Sequence, residues 1–157
     1  MVDAYRVPRR ATSVKIVTDD GQTLDGDVFT AMIGPDGQPG RVVDRLNDPS
    51  EEFLAMKVGD DRFLLNKSGI VMVQMHGEFE EEPDLEPPGG RDVTVRLQLA
   101  AGFGLVGRLS ILMPQERCRV IDYMNSVPRF FPLHGSGQVT LVQKGFVVSV
   151  RELEGEE

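Results

Sequence analysis

The sequence predicts a mainly all-β protein built from two tandem copies of one small five-stranded barrel. Three features predict it: a repeated motif, alternating strand patterns around that motif, and an acidic stretch between the copies. The 157 residues are 40% hydrophobic and 27% charged, which is ordinary for a folded chain with one domain or two small ones. We expect each copy to hold five strands, with a short helical turn before the third.

The repeat is clearest in two heptapeptides. Residues 41–47 read RVVDRLN and residues 119–125 read RVIDYMN, which sets the copies 78 residues apart. At that spacing Phe53 meets Phe131, and upstream Gly26 meets Gly107 at a spacing of 81. Because the matches keep one order through most of each half, they favour a duplication over chance.

Alternation and turn residues predict the strands. Apolar and polar residues alternate over 93–99, which is the period of a half-buried strand. Turn residues at 19–21 and 100–102 indicate hairpins, and the mid-strand glycines Gly26 and Gly107 predict a sharp bend. Further strands are predicted at 53–58, 62–66 and 70–75 in the first copy and at 130–134, 138–143 and 146–152 in the second.

The heptapeptide itself is too short for a long helix and predicts one or two helical turns. Its arginine and aspartate are three residues apart, so they share a helix face and can form an ion pair. Its closing asparagine is typical of the left-handed C-cap position. Such local structure alone explains why these residue types recur.

Charge and composition predict the domain organisation. The expected units are a basic arm at 1–12, a first repeat at 13–76, a linker at 77–92, a second repeat at 93–152 and an acidic tail at 153–157. The net charge of −8 is distributed as −3 over 1–75, −6 over 76–92, +4 over 93–150 and −3 over 151–157. A linker rich in Glu, Pro and Gly repels itself and is expected to be an extended tether.

Catalytic and metal-binding motifs are not found. The sequence has no phosphate-binding loop, nucleophile elbow or nicotinamide fingerprint. Its two histidines, His76 and His134, lack ligand partners at metal spacing and are expected at the surface. Cys118 lies between two arginines, which favours a thiolate, but a small half-buried side chain is the simpler expectation. We predict no enzyme activity, no metal and no cofactor.

Location follows from what the chain lacks. No apolar run approaches the roughly 18 residues that cross a bilayer, and the three arginines of the first ten residues precede no apolar stretch. A cytoplasmic location without a membrane partner is the default expectation.

The second copy resembles the Sm-like family of small five-stranded barrels. Asp122-Tyr123-Met124-Asn125 and the later Lys144-Gly145 are similar to that family's Asp/Asn and basic-Gly loops, although the Asp-to-Asn spacing is one residue shorter. Residues 44–47 and 67–69 are looser counterparts in the first copy. The resemblance implies Sm-like or SH3-like barrels, and the heptapeptide is also similar to bacterial domains of unknown function.

In the Sm-like family those two loops hold RNA bases. The resemblance, with the recurring arginines, implies candidate binding residues, among which an asparagine can bond a base edge, a lysine can neutralise a phosphate and a tyrosine can stack. They are Arg41, Asp44, Asn47, Lys67, Arg119, Asp122, Tyr123, Asn125 and Lys144.

Three functions stay open at the level of sequence. The leading hypothesis is a non-enzymatic protein-interaction or assembly module, in which the acidic and basic copies dock within a chain or head to tail between chains. The second is RNA or single-stranded nucleic-acid binding through the basic copy, although the chain has only two Tyr and no Trp. The third is a ligand-sensing regulatory domain with its pocket between the copies.

Overall fold

Strands dominate the fold, as the alternating sequence predicts. The computed structural model describes residues 9–31, 40–76, 91–111 and 119–153. The first half holds β1 Arg9–Thr18, β2 Thr23–Ala31, α1 Val42–Asn47, β3 Phe53–Val58, β4 Asp61–Asn66 and β5 Ile70–His76. The second half holds β6 Arg91–Leu99, β7 Gly104–Ile111, α2 Val120–Ser126, β8 Phe130–Gly135, β9 Gln138–Gln143 and β10 Val147–Glu152. The all-β class is confirmed, and so is the short helix before the third strand of each half.

The element boundaries follow the predicted ones closely. Helices α1 and α2 form over the two heptapeptides, and β3 and β9 begin and end at the predicted residues. Two strands begin earlier than the predicted repeats do. Strand β1 begins at Arg9, within the predicted arm, and β6 begins at Arg91, within the predicted linker. Residues 77–90 of the linker, and Cys118, lie outside the described residues.

All ten described strands belong to one sheet, in the order β10-β6-β7-β8-β9-β5-β1-β2-β3-β4. Within each half the order is therefore fifth, first, second, third, fourth. The halves meet where β9, the fourth strand of the second half, pairs antiparallel with β5, the fifth strand of the first. Because this pairing links every described strand into one sheet, the division into two barrels stays a prediction.

Glycines let the second and third strands of each half approach closely. The pairing of β2 with β3 covers two residue pairs, and that of β7 with β8 covers one. A Cβ atom on Gly107 would lie 2.7 Å from the carbonyl oxygen of His134, and one on Gly26 would overlap the carbonyl oxygen of Lys57. The predicted mid-strand glycines thus stand where no side chain fits.

Two apolar clusters form the core, and each takes residues from both halves. The cluster centred on the first half includes Phe130, Val139 and Leu141 of the second half. The cluster centred on the second half includes Val71 and Met72 of the first. The halves therefore share their core across the β5·β9 pairing, which we call the joint.

Two local predictions are wrong. His134 was expected at the surface but is buried, because β8 approaches β7 at this residue. Asn47 and Asn125 do not adopt the left-handed conformation, since Ala101 is the one described non-glycine residue with a positive φ. The chain instead leaves α1 at Asp48 and α2 at Val127 in extended conformations.

None of the described helices combines the length and the apolar composition that a membrane span requires.

Candidate functional site at the joint

The arginine and aspartate of each heptapeptide form the predicted ion pair. Nε of Arg41 lies 2.9 Å from Oδ2 of Asp44, and Nε of Arg119 lies 3.0 Å from Oδ2 of Asp122. Both pairs are three residues apart on one helix face and partly exposed, so each contributes little to stability. Each arginine is the residue just before its helix and each aspartate lies in the first helical turn, so both contacts are local.

The two predicted lysines hold the ends of the helices. Lys67 is fully buried, and its Nζ donates to the backbone oxygens of Arg45 at 2.7 Å and Asp48 at 3.2 Å, at the end of α1. Nζ of Lys144 donates to the backbone oxygen of Val127 at 2.7 Å, at the end of α2. Lysines near helix C-termini satisfy carbonyls that have no partner within the helix.

Burial affects the charge of Lys67. Desolvation lowers its pKa below the ordinary value of 10.5, and the negative charges of Glu51 and Asp48 oppose this effect. A buried lysine that donates to backbone carbonyls is not presented to a phosphate in solution.

Asn47 links the two halves. Its Oδ1 accepts from the backbone nitrogen of Phe130 at 2.7 Å, and its Nδ2 donates to the backbone oxygen of Phe130 at 3.0 Å. The asparagine of α1 thereby forms hydrogen bonds with both backbone groups of the first residue of β8, 83 positions along the chain. Asn125, at the same position of the second heptapeptide, is exposed on α2 and makes no side-chain hydrogen bond within the described residues.

Sequence analysis missed two polar residues that complete the joint. Nε2 of Gln143 donates to the backbone oxygens of Lys67 at 2.9 Å and Ile70 at 2.6 Å. Arg129 donates to Oε1 of Gln143 at 2.8 Å and to the hydroxyl of Ser68 at 3.1 Å. No local pattern marks these residues, because Gln143 binds backbone groups of the first half and Arg129 reaches Ser68 there.

A cleft of about 270 Å³ opens between the two halves, beside the joint, and its walls come from α1, α2, β7 and β8. Four of the nine candidate binding residues line it: Arg41, Asp44, Asn47 and Tyr123. Burial raises the pKa of Tyr123 from 10.0 to about 12, so its phenol is neutral at physiological pH. The other five candidates, Lys67, Arg119, Asp122, Asn125 and Lys144, do not line this cleft, and a binding role for the nine stays a prediction.

Strand pairing fixes which residues of the two halves correspond. Phe53 pairs with Asn66, and Phe130 pairs with Gln143, so β3–β4 and β8–β9 correspond at a spacing of 77 residues. The counterpart of Phe53 is therefore Phe130, one residue before the Phe131 that the sequence suggested. The same spacing relates β5 to β10, whose pairings with β1 and β6 are in matching register.

Within the described ranges, no three His, Cys, Asp or Glu side chains lie close enough together to hold a metal ion. The expected lack of metal, cofactor and enzyme activity stays a prediction. Comparison with known proteins found no protein-family model, no curated protein and no solved structure that matches the chain.

Proposed function

We propose that this chain is a non-enzymatic assembly module, built from a duplicated unit that docks by joining sheet edges. The observation that carries the proposal is the joint, where one half completes the sheet of the other. Exposed strand edges are ready sites for pairing with another chain, and added strands are a common mode of protein recognition.

The joint combines three kinds of contact. Five residue pairs join β5 to β9. The apolar side chains on both faces of this pairing are buried, among them Val73 and Leu141 on one face and Val142 on the other. Side chains such as Asn47 and Gln143 then bond backbone groups across it. Paired edges, buried apolar area and satisfied backbone groups together make a specific interface.

The same contacts weigh against nucleic-acid binding as the main function. Lys67 and Asn47, which the Sm-like resemblance assigns to RNA, use their polar atoms within the fold. Asn125, the counterpart of Asn47, is exposed and lies in the half with positive net charge. Nucleic-acid binding through this half is therefore the alternative function.

The test is the molar mass in solution, measured by light scattering at about 50 mM and about 500 mM salt with the absorbance ratio for nucleic acid; this range spans weak to strong screening. We expect a species heavier than the 17.4 kDa chain, or a co-purifying protein, free of nucleic acid. A lone monomer at every salt and protein concentration would contradict the proposal. A nucleic-acid signal that falls with salt would favour the alternative.

A further inference from the structure

The two ends of the sheet carry the two sides of the joint. At one end lies β10, which pairs only with β6 among the described strands, and at the other lies β4, which pairs only with β3. By the spacing of 77 residues, β10 is the counterpart of β5 and β4 is the counterpart of β9. Each strand that forms the joint therefore has a counterpart at an end of the sheet, with no second partner among the described strands.

Apolar side chains are exposed at the β4 edge where their counterparts are buried in the joint. Phe53 is 52% exposed and Leu64 is 71% exposed. Their counterparts, Phe130 and Leu141, are fully buried in the core cluster of the other half. Phe53 and Leu64 thus form an exposed apolar surface equivalent to the one that Phe130 and Leu141 bury against the first half.

The opposite edge carries the complementary surface. Val148 on β10 is 68% exposed, whereas its counterpart Val71 is fully buried by the second half. Ile121 on α2 is 61% exposed, whereas its counterpart Val43 is buried and lines the cleft beside the joint. Together with Phe53 and Leu64, these account for four of the five exposed large hydrophobic side chains of the described residues.

Polar groups at the two edges also match. Asn125 corresponds to Asn47, which bonds both backbone groups of Phe130. The equivalent partners for Asn125 are therefore the backbone groups of a second copy's Phe53.

A charged pair at the two edges also matches. In the joint Met75 pairs with Val139. Their counterparts, Glu152 and Arg62, have opposite charges, and opposite charges directly across paired strands are stabilising.

We infer that a second copy of this chain binds head to tail, with β10 and α2 of one copy joined to the β3–β4 edge of the next. The inference rests on the proposed function and names its partner and its surfaces. Because the two surfaces differ, a row of copies always has one unoccupied β10 edge at one end and one unoccupied β4 edge at the other. Further copies can therefore bind, and the assembly either closes as a ring or grows as a filament.

The contact between copies lacks one part of the joint. The counterparts of Gln143 and Arg129 are Asn66 and Glu52, and the side-chain oxygen of Asn66 accepts from the backbone of Ser68 in its own copy. We therefore expect the contact between copies to be weaker than the joint and to depend on protein concentration.

The experiment compares the mass of matched variants by light scattering over a range of protein concentrations. Leu64→Asp places a charge where the other copy would bury it, and it should raise the concentration needed for assembly more than 10-fold. Val106→Asp is the control. The Val106 side chain is exposed too, at 52%, but it lies on β7, away from both ends of the sheet. This control should assemble like the wild type.

Charge reversal at the paired edges tests the register. Arg62→Glu and Glu152→Arg should each weaken assembly severalfold, and the double variant, which restores opposite charges, should recover it. If the wild type assembles and Leu64→Asp and both reversals assemble equally well, the edges are not the interface and the inference falls while the proposed function stands. A monomer that co-purifies with a different protein would also overturn the inference alone, whereas a lone monomer would overturn both.

Discussion

At the scale of single residues, three of the candidate binding residues bond backbone groups of the fold: Asn47, Lys67 and Lys144. Lys67 and Lys144 donate to carbonyls at the helix ends, and Asn47 satisfies both backbone groups of Phe130. A buried carbonyl that loses its donor keeps the full cost of desolvation, which makes such contacts expensive to remove. These three side chains therefore have a structural role, whatever else they bind.

Replacing Lys67 by methionine tests this role. The Lys67→Met variant removes the ammonium donor from the backbone oxygens of Arg45 and Asp48, which keep only bonds of 3.3 and 3.4 Å from the backbone nitrogens of Asp48 and Glu51. Because hydrogen bonds from charged groups are the stronger kind, we expect the free energy of unfolding to fall by about 1–3 kcal/mol. The measurement is urea unfolding followed by far-ultraviolet circular dichroism. Lys57→Met, at an exposed position on β3, is the control and should stay within about 0.5 kcal/mol of wild type. Equal stability of the two variants would contradict the role of Lys67.

Burial of the Tyr123 phenol predicts a pH dependence. Its folded pKa is raised from 10.0 to about 12, so the folded state holds this proton more tightly than the unfolded state does. The raised pKa of Tyr123 contributes to the stability of the folded state in full below pH 10, and this contribution is lost as the pH rises toward 12. The ultraviolet difference titration between wild type and Tyr123→Phe should show ionisation near pH 12. A midpoint near 10 would mean that the phenol is in water.

The sequence predicted contacts between near neighbours and missed those between distant residues. The pairs Arg41–Asp44 and Arg119–Asp122 follow from a spacing of three on a helix, which is a local property. The partner of Asn47 lies in the other half of the chain, so the local preference of asparagine for a C-cap was misleading. The burial of His134 is likewise set by a neighbouring strand.

At the scale of the elements, turn residues and alternation determined the strands well. Strands β3 and β9 have the predicted bounds because Gly and Asp turns flank runs of β-forming residues. The sequence of β4 carries a further signal. Phe63-Leu64-Leu65 breaks the alternation of a half-buried strand, since three apolar residues in a row require both faces to be covered. That run lies on the free edge β4.

The close approach of β7 and β8 predicts a sharp difference between two glycines of one strand. Gly107→Ala would place a methyl group 2.7 Å from a backbone oxygen of β8, and we expect a loss of about 2 kcal/mol or more in the free energy of unfolding. Gly104→Ala meets no atom closer than 3.9 Å and should be neutral or slightly stabilising. Urea unfolding compares them, and equal effects would contradict the close approach.

At the scale of the whole molecule, the joint organises the fold and the proposed function alike. The sequence indicated two copies but not how they meet, because the pairing of β5 with β9 depends on tertiary packing. In the proposed assembly, the exposed Phe53, Leu64 and Val148 would be buried against a second copy as their counterparts are buried at the joint. The proposed head-to-tail assembly would use the same kind of interface inside the chain and between chains.

Hydrogen exchange at the two edges, measured by mass spectrometry at low and high protein concentration, tests head-to-tail assembly most directly. Exchange reports the protection of backbone amides strand by strand. We predict that peptides covering β4 and β10 both exchange more slowly as concentration rises, while a peptide covering β1, paired on both sides, does not change. Protection that rises at one edge alone, or at neither edge while the mass increases, would contradict the account.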